Sequence, residues 1–180
     1  LHVYYPHAHA YLTGQLKLAE GDFHGALASW SEAGTADAER PGLFIQLGEA
    51  YLGLKRWDDA EQNYRKALDV DPDNPHAHLG LCRCYLPRRR NRLAAESALE
   101  AIQRLYYFPL AHYCLGLALA RMRQPERAVE ALRMAIAINP NFAQAHRRLS
   151  VLYVRAFRDP EKAKVHRELA LDIEGYRVDN

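Results

Sequence analysis

A period of 34 residues runs along this chain of 180 residues and limits its possible folds more than any other feature. When the sequence is written in rows of 34 from residue 7, small residues recur in the same columns. Column 8 holds Gly14, Gly48, Cys82, Gly116 and Ser150, and column 20 holds Ala26, Ala60, Ala94 and Ala128. A fixed period of this length is typical of stacked supersecondary units. It predicts a repeat protein whose stability comes from packing between neighbouring repeats.

Each row contains two apolar stripes with helical spacing. In the second row, Phe44, Leu47 and Tyr51 follow an i, i+3, i+7 pattern, and a second stripe runs from Trp57 to Leu68. Proline suits the first turn of a helix, where its missing N–H has no partner to lose. Helix starts are therefore predicted at Pro41, Pro75, Pro109, Pro125 and Pro160.

The fifth row differs from the others by one residue. Its alanines, Ala163 and Ala170, come one place late, so an insertion is predicted in the turn around residues 157–160. Asp159 is the predicted N-cap of the last helix, and Gly175 is its predicted C-terminal stop.

The second row resembles the tetratricopeptide repeat signature. The matching residues are Phe44-x2-Leu47-Gly48-x2-Tyr51, then Ala60-x3-Tyr64-x2-Ala67, then Pro72, with Phe44 at the usual tryptophan place. The fourth row matches at Leu115, Gly116, Ala128, Leu132, Ala135 and Pro140. This resemblance covers residues 7–177. It implies an all-α fold, a right-handed α-solenoid of five helix-turn-helix units with about ten antiparallel helices.

The rows also define the predicted domain boundaries. Residues 1–6 are an N-terminal remnant or cap, residues 7–177 are a single tetratricopeptide domain, and residues 178–180 are a tail. The predicted repeats are 7–40, 41–74, 75–108, 109–142 and 143–177.

Histidines, acidic residues and cysteines are the residue types here that could bind a metal or act in catalysis. His78, His112 and His146 occupy one column, and equivalent places in stacked repeats lie too far apart to share a zinc ion. We expect these histidines to replace the usual tryptophan in helix packing. The aspartates of residues 69–73 lack the glycine and glutamate that a calcium loop needs. Cys82 and Cys84 lack Cys-x-x-Cys spacing, and Cys82 fills the small column 8, so we expect it to be buried.

No nucleophile elbow, phosphate-binding loop or metal motif occurs in the sequence. We therefore predict no metal, no cofactor and no catalytic residues, so that this chain by itself is not an enzyme. Three cysteines are too few for a disulfide framework, and residues 1–10 lack the features of a secretory signal. No apolar run is long enough to span a bilayer. Together these features favour a reducing, cytoplasmic location.

The resemblance implies that the first helix of each repeat lines a concave groove with positions 2, 5, 9 and 12 facing a ligand. In this chain that face is mostly apolar, which favours a protein or peptide partner, either an amphipathic helix or an extended apolar segment. Arg83 and Arg147 are predicted to pair with an acidic flank of the ligand. The groove residues are Tyr11, Ile45, Glu49, Leu52, Leu79, Arg83, Leu86, Tyr113, Leu117, Arg147 and Val151.

Known family specialisations do not match this groove. The residues at the required places fit neither a chaperone-tail carboxylate clamp nor the asparagine ladder of sugar-transferase arrays. The first alternative function is the C-terminal tail of a larger bacterial enzyme, a transferase or hydrolase, serving assembly or substrate presentation.

Binding of RNA or single-stranded DNA is a second, weaker alternative. It rests on a basic patch in one turn, formed by Arg88, Arg89, Arg90 and Arg92, with Tyr106, Tyr107 and Phe108 following in the next turn. A solvated arginine-rich surface is the simpler interpretation, because charge runs are usually solvated.

The formal net charge of +2 conceals an uneven distribution. Residues 1–74 carry 6 basic and 12 acidic side chains, whereas residues 75–180 carry 18 basic and 10 acidic ones. Along a solenoid these charges would be separated by more than the Debye length of about 8 Å at physiological salt. The distribution predicts a partner of opposite polarity, or a homo-oligomer formed through the groove or end to end and weakened by salt.

Overall fold

The structure, a computed structural model, describes residues 6–33 and 41–178. Within these residues every regular element is an α-helix. The helices are α1 (Pro6–Ala19), α2 (Phe23–Ala33), α3 (Pro41–Gly53), α4 (Trp57–Val70), α5 (Pro75–Tyr85), α6 (Asn91–Arg104), α7 (Pro109–Arg121), α8 (Pro125–Ile138), α9 (Ala143–Arg155) and α10 (Pro160–Val178). The prediction of an all-α fold with about ten helices is therefore confirmed.

Two compact units make up the chain, Leu1–Cys84 and Tyr85–Asn180. In the first unit, α1 pairs with α2, α3 pairs with α4, and α2 contacts α3. In the second, α6 packs on α7, α7 pairs with α8, α8 contacts α9, and α9 pairs with α10. The single repeat domain over residues 7–177 stays a prediction. Most of the predicted N-terminal remnant or cap, and residues 179–180 of the tail, lie outside the described residues.

The helix boundaries agree with most of the local signals in the sequence. All five prolines predicted to start helices are the first residues of α3, α5, α7, α8 and α10. Asp159 caps α10, because its Oδ1 accepts a hydrogen bond from the Lys162 backbone N–H at 3.0 Å. The predicted stop at Gly175 was wrong, since α10 continues to Val178. One glycine costs a helix only about 1 kcal/mol, which is too little to end it.

Each unit has its own buried apolar clusters. In the first unit Ala26 and Trp30 of α2 pack with Leu43 and Ala50 of α3. In the second unit two residues of α8 and two of α9 form the corresponding cluster: Leu132, Ala135, Ala145 and Leu149. Columns 3 and 24 of the 34-residue period therefore contribute to the contact between successive repeats in both units.

The turn between the two helices of a repeat has the same form in four of the five repeats. In the fourth repeat, Gln124 N–H donates to the Leu119 carbonyl at 3.0 Å and Arg123 N–H donates to the Ala120 carbonyl at 3.2 Å. This is a Schellman arrangement, which requires a left-handed residue after the helix. The left-handed residues of the five turns, with φ between 52° and 81°, are Gly21, Lys55, Arg89, Arg123 and Arg158.

The predicted insertion in the fifth repeat is confirmed by this turn. The other repeats close the turn with a bond that spans five residues, as between Arg56 N–H and the Tyr51 carbonyl. In the fifth repeat Asp159 N–H donates to the Tyr153 carbonyl, which lies six residues earlier. The turn therefore holds the additional residue without shifting the register of either helix.

Replacing Arg123 by glycine should stabilise the protein. A left-handed conformation costs an L-residue about 1–2 kcal/mol, and glycine avoids this cost while losing part of the gain through its flexible unfolded state. We expect a net gain of up to about 1 kcal/mol in the free energy of unfolding, measured by urea denaturation. Arg133→Gly, at an exposed site inside α8, is the matched control and should instead lose about 1 kcal/mol. A loss of stability in both variants would contradict this interpretation of the turn.

Candidate protein-binding site

In the first unit some of the predicted groove residues lie at the surface and others lie in the interior. Tyr11, Ile45 and Leu52 are half-buried, so each presents part of its side chain. Leu79 is only 4% exposed and lies in the core. In this unit, therefore, only part of the predicted apolar face is accessible to a ligand.

A polar network occupies position 9 of the second and third repeats. Arg83 Nη1 donates to both carboxylate oxygens of Glu49, at 2.6 Å to Oε1 and 2.8 Å to Oε2. The Tyr64 hydroxyl donates to Glu49 Oε1 at 2.9 Å. Charge-assisted bonds of this kind are stronger than neutral ones. The Arg83 guanidinium, predicted to meet an acidic ligand, is thus paired within the chain.

Tyr64 is the central side chain of this network. It is fully buried, and burial together with the charge of Glu49 raises the pKa of Tyr64 well above its ordinary value. The hydroxyl therefore stays a donor at physiological pH. The ring packs against two glycines, because a Cβ on Gly48 would lie 2.7 Å from it and a Cβ on Gly80 would lie closer still.

In the second unit the corresponding positions are apolar. Leu117 of α7 and Val151 of α9 occupy position 9, with Leu117 half-buried and Val151 42% exposed. The Tyr113 ring packs on Phe142 with a centroid separation of 5.0 Å. Arg147 forms an ion pair with Glu174 of α10. Leu86, also predicted for the groove, is 7% exposed and therefore buried.

The basic patch and the aromatic residues lie at opposite ends of α6. Arg89 and Arg90 are exposed before its first residue, whereas Tyr106 and Tyr107 are exposed after its last. A helix of 14 residues separates them by about 21 Å. Arg92 also forms an ion pair with Glu96 at 2.9 Å, and Arg88 is half-buried. The arginines and the exposed tyrosines therefore do not form one compact patch.

The three histidines of one column are structural, as predicted, and the structure adds a hydrogen bond to their role. His112 and His146 are each 5% exposed. The Nε2 atoms lie 3.0, 2.9 and 3.1 Å from backbone carbonyl oxygens six residues earlier, for His78, His112 and His146 respectively. Because a carbonyl only accepts, each Nε2 carries the proton and closes the turn between repeats.

A second histidine contacts this column in the last repeat. His146 Nδ1 lies 3.0 Å from Nδ1 of His166, whose ring stacks on Tyr153 with a centroid separation of 5.6 Å. Burial, followed by the neighbouring His146 and Arg133, lowers the pKa of His166. Among residues 9–31 and 42–175 no group of three or more metal-ligating side chains is present.

The cysteines lie in the interior. Cys82 fills its small column at 0% exposure, which confirms its predicted burial, and Cys84 and Cys114 are buried as well. No helix within the described ranges is both long enough and apolar enough to cross a bilayer.

Helical hairpins at a fixed 34-residue period define a repeat scaffold, and comparisons with known proteins identify the type of repeat. The tetratricopeptide repeat family model matches residues 43–74 and 109–142. The chain contains tetratricopeptide repeats at these residues, and the matched repeats support a protein–protein interaction scaffold, which is generally non-catalytic.

Solved structures with this fold include MamA proteins. One MamA crystal structure superposes with a TM-score of 0.77 at 24% identity, covering 93% of this chain and 97% of that one. MamA from Desulfovibrio magneticus RS-1 gives a TM-score of 0.80 at 23% identity, covering 95% and 96%. At these identities the likeness concerns the fold.

A curated relative is the Hsp70-Hsp90 organising protein of Plasmodium falciparum. It is 23% identical over 133 residues, or 67% of this chain. The match spans about a quarter of that longer protein, 24% of its length.

Proposed function

We propose that this chain is a non-catalytic scaffold that binds an apolar helix or extended peptide segment on the first helices of its repeats. The observation that carries the proposal is the contrast at position 9. In the first unit this position holds Glu49 and Arg83, whose opposite charges pair with each other. In the second unit it holds Leu117 and Val151, which have no polar group to hydrate. The second unit, along α7 and α9, is therefore the preferred binding surface.

A neighbouring residue extends this apolar surface. Val154 follows Val151 by less than one turn of α9 and is 55% exposed. Contiguous exposed apolar residues on a soluble domain mark interaction sites, because water is released when a partner covers them. An amphipathic helix with apolar residues at i, i+3 and i+7 would match such a stripe.

Arg147 adds a polar contact at the rim of this surface. Its ion pair with Glu174 satisfies it in the free protein, and its side chain remains 56% exposed. A ligand with an acidic residue beside its apolar ones would compete with Glu174 for the guanidinium. We therefore expect acidic flanks to tune affinity, with the apolar contacts supplying most of it.

Selection of displayed random peptides on the immobilised chain tests the proposal. The expected outcome is enrichment of peptides with helically spaced apolar residues. Val151→Asp should weaken binding of the enriched peptides at least tenfold, because a buried unpaired carboxylate costs more than about 1.4 kcal/mol. Fluorescence anisotropy with the enriched peptides measures the change.

Val165→Asp is the matched control for this experiment. Val165 lies on α10 in the same unit, is 54% exposed, and is absent from the predicted groove. It should leave peptide affinity unchanged, while Glu174→Gln should strengthen binding of peptides with acidic flanks severalfold. Equal binding by the wild type and Val151→Asp would refute the proposed surface.

Nucleic-acid binding is the weaker candidate, because the arginines and the exposed tyrosines lie at opposite ends of α6. A cytoplasmic, reducing location fits the three buried cysteines, which are not joined in disulfides, and is part of the proposal.

A further inference from the structure

Successive repeats contact each other through the same columns of the sequence in both units. In the first unit, positions 3 and 10 of α3, Leu43 and Ala50, pack on Ala26 and Trp30 of the preceding helix. In the second unit, position 3 of α9 is the buried Ala145, and position 10, Leu152, packs on the same cluster. Positions 3 and 10 of a first helix therefore face the preceding repeat.

Position 10 of the first helix is fully buried in the second, third and fourth repeats. Ala50, Cys84 and Ala118 are all 0% exposed. Position 6 lies on the same side of the helix, and there Gly80 and Cys114 are buried as well. Small residues are used at these sites, which allows the helices to approach closely.

In the first repeat, positions 6 and 10 are exposed to solvent and hold large apolar residues. Leu12 at position 6 is 62% exposed, and Leu16 at position 10 is 60% exposed. The two lie four residues apart and share one face of α1. We call these two residues the head face. Leucine here is unexpected for a solvated helix surface and matches a site that is covered by another repeat.

The last repeat exposes residues whose equivalents in earlier repeats pack against the following repeat. In the fourth repeat Ile136 of α8 packs on the cluster shared with α9. One repeat later, allowing for the inserted residue, the equivalent residue is Leu171, which is 59% exposed. Leu18, at position 12 of the first repeat, packs on the cluster shared with α3. Its equivalent in the fifth repeat is Val154, 55% exposed. Val154, which also borders the proposed peptide-binding surface, and Leu171 form the tail face.

We propose that the head face of one molecule docks on the tail face of a second copy of this chain. The contact would continue, between molecules, the junction that joins repeats within each unit. The charge distribution favours a second copy of this chain over an unrelated partner, because residues 1–74 carry a net negative charge and residues 75–180 carry a net positive charge. Head-to-tail docking therefore brings opposite charges together, whereas head-to-head and tail-to-tail docking bring like charges together. A contact of this type is heterologous and leaves one face of each kind free for further copies.

Sedimentation velocity on blocked variants tests this proposal. The wild type should form dimers and larger species as its concentration rises, and these should weaken from about 0.05 M to about 0.5 M NaCl. The head-blocked variant Leu12→Glu/Leu16→Glu and the tail-blocked variant Val154→Glu/Leu171→Glu should each be monomeric. An equimolar mixture of the two should form a 1:1 dimer and no larger species, because only one intact head and one intact tail remain.

Val70→Glu is the matched control, since Val70 on α4 is 49% exposed and belongs to neither face. It should associate like the wild type. Circular dichroism checks that each variant keeps its helical content; if the tail-blocked variant loses it, Leu171→Gln replaces that variant. Self-association of either blocked variant alone would overturn the head-to-tail arrangement. A monomeric wild type at all concentrations, or a monomeric mixture, would overturn the docking itself.

Discussion

Replacing Tyr64 by alanine should lower the free energy of unfolding of the first unit by about 3–5 kcal/mol, the range for removing a large buried aromatic side chain. Tyr64 is 0% exposed, and its ring fills the space between Gly48 and Gly80. Neither glycine has a side chain that could fill the cavity left by the ring. The variant also removes a donor to Glu49, which keeps its two bonds from Arg83. Urea denaturation followed by circular dichroism measures the loss.

Two controls separate packing from hydrogen bonding at this site. Tyr64→Phe keeps the ring and loses only the hydroxyl, so it should cost about 1 kcal/mol. Tyr107→Ala removes the same atoms from a side chain that is 76% exposed, and it should change stability by less than about 0.5 kcal/mol. A similar loss for Tyr64→Phe and Tyr64→Ala would show that the network, and not the ring, stabilises the unit.

In the second unit, Leu132→Ala should cost about 2–5 kcal/mol. Leu132 is 0% exposed and packs against Gly116, where an added Cβ would lie 2.7 Å from the Leu132 Cγ. Gly116→Ala alone should therefore also destabilise the unit, by about 1–3 kcal/mol through overpacking. In the double variant the alanine at 116 meets a shortened side chain and fills part of the cavity.

The double variant should consequently be more stable than the two single losses predict when added. Neighbouring sites that share a cavity show coupling energies of about 0.5–3 kcal/mol. Urea denaturation of the four proteins of this cycle gives the coupling directly. Gly175→Ala supplies the control for glycine replacement, because nothing lies within 4 Å of its added Cβ, and it should stabilise α10. Strict additivity would mean that Leu132 and Gly116 do not compete for the same space.

Much of the fold was predictable because its signals are local. Helix starts follow from prolines whose fixed φ suits the first turn, and the insertion near residue 158 follows from two late alanines. The small columns were correctly predicted to permit close packing, as Gly48 shows against Tyr64. Gly80 was missed as a packing residue, because its partner Tyr64 belongs to the preceding repeat and its own column ranges from Leu12 to Arg148.

The binding surface was less predictable, because the sequence pattern alone assigns the same environment to all residues that share a position in the repeat. Glu49, Arg83, Leu117 and Val151 share position 9, yet the first two pair with each other and the last two remain apolar. Leu79 was predicted to line the groove from its column, and the structure buries it. Whether a side chain is covered depends on the length and charge of residues one repeat away, which no local pattern contains.

The periodic spacing of apolar and small residues was sufficient to establish the repeat, its helices and its family, since each depends on contacts within about 34 residues. Tertiary structure alone decided which charges neutralise each other, as in the Glu49–Arg83 and Arg147–Glu174 pairs. It also decided which equivalent leucines are covered. The physical reason is that helix formation is encoded by neighbours in sequence, whereas exposure and ion pairing depend on neighbours in space.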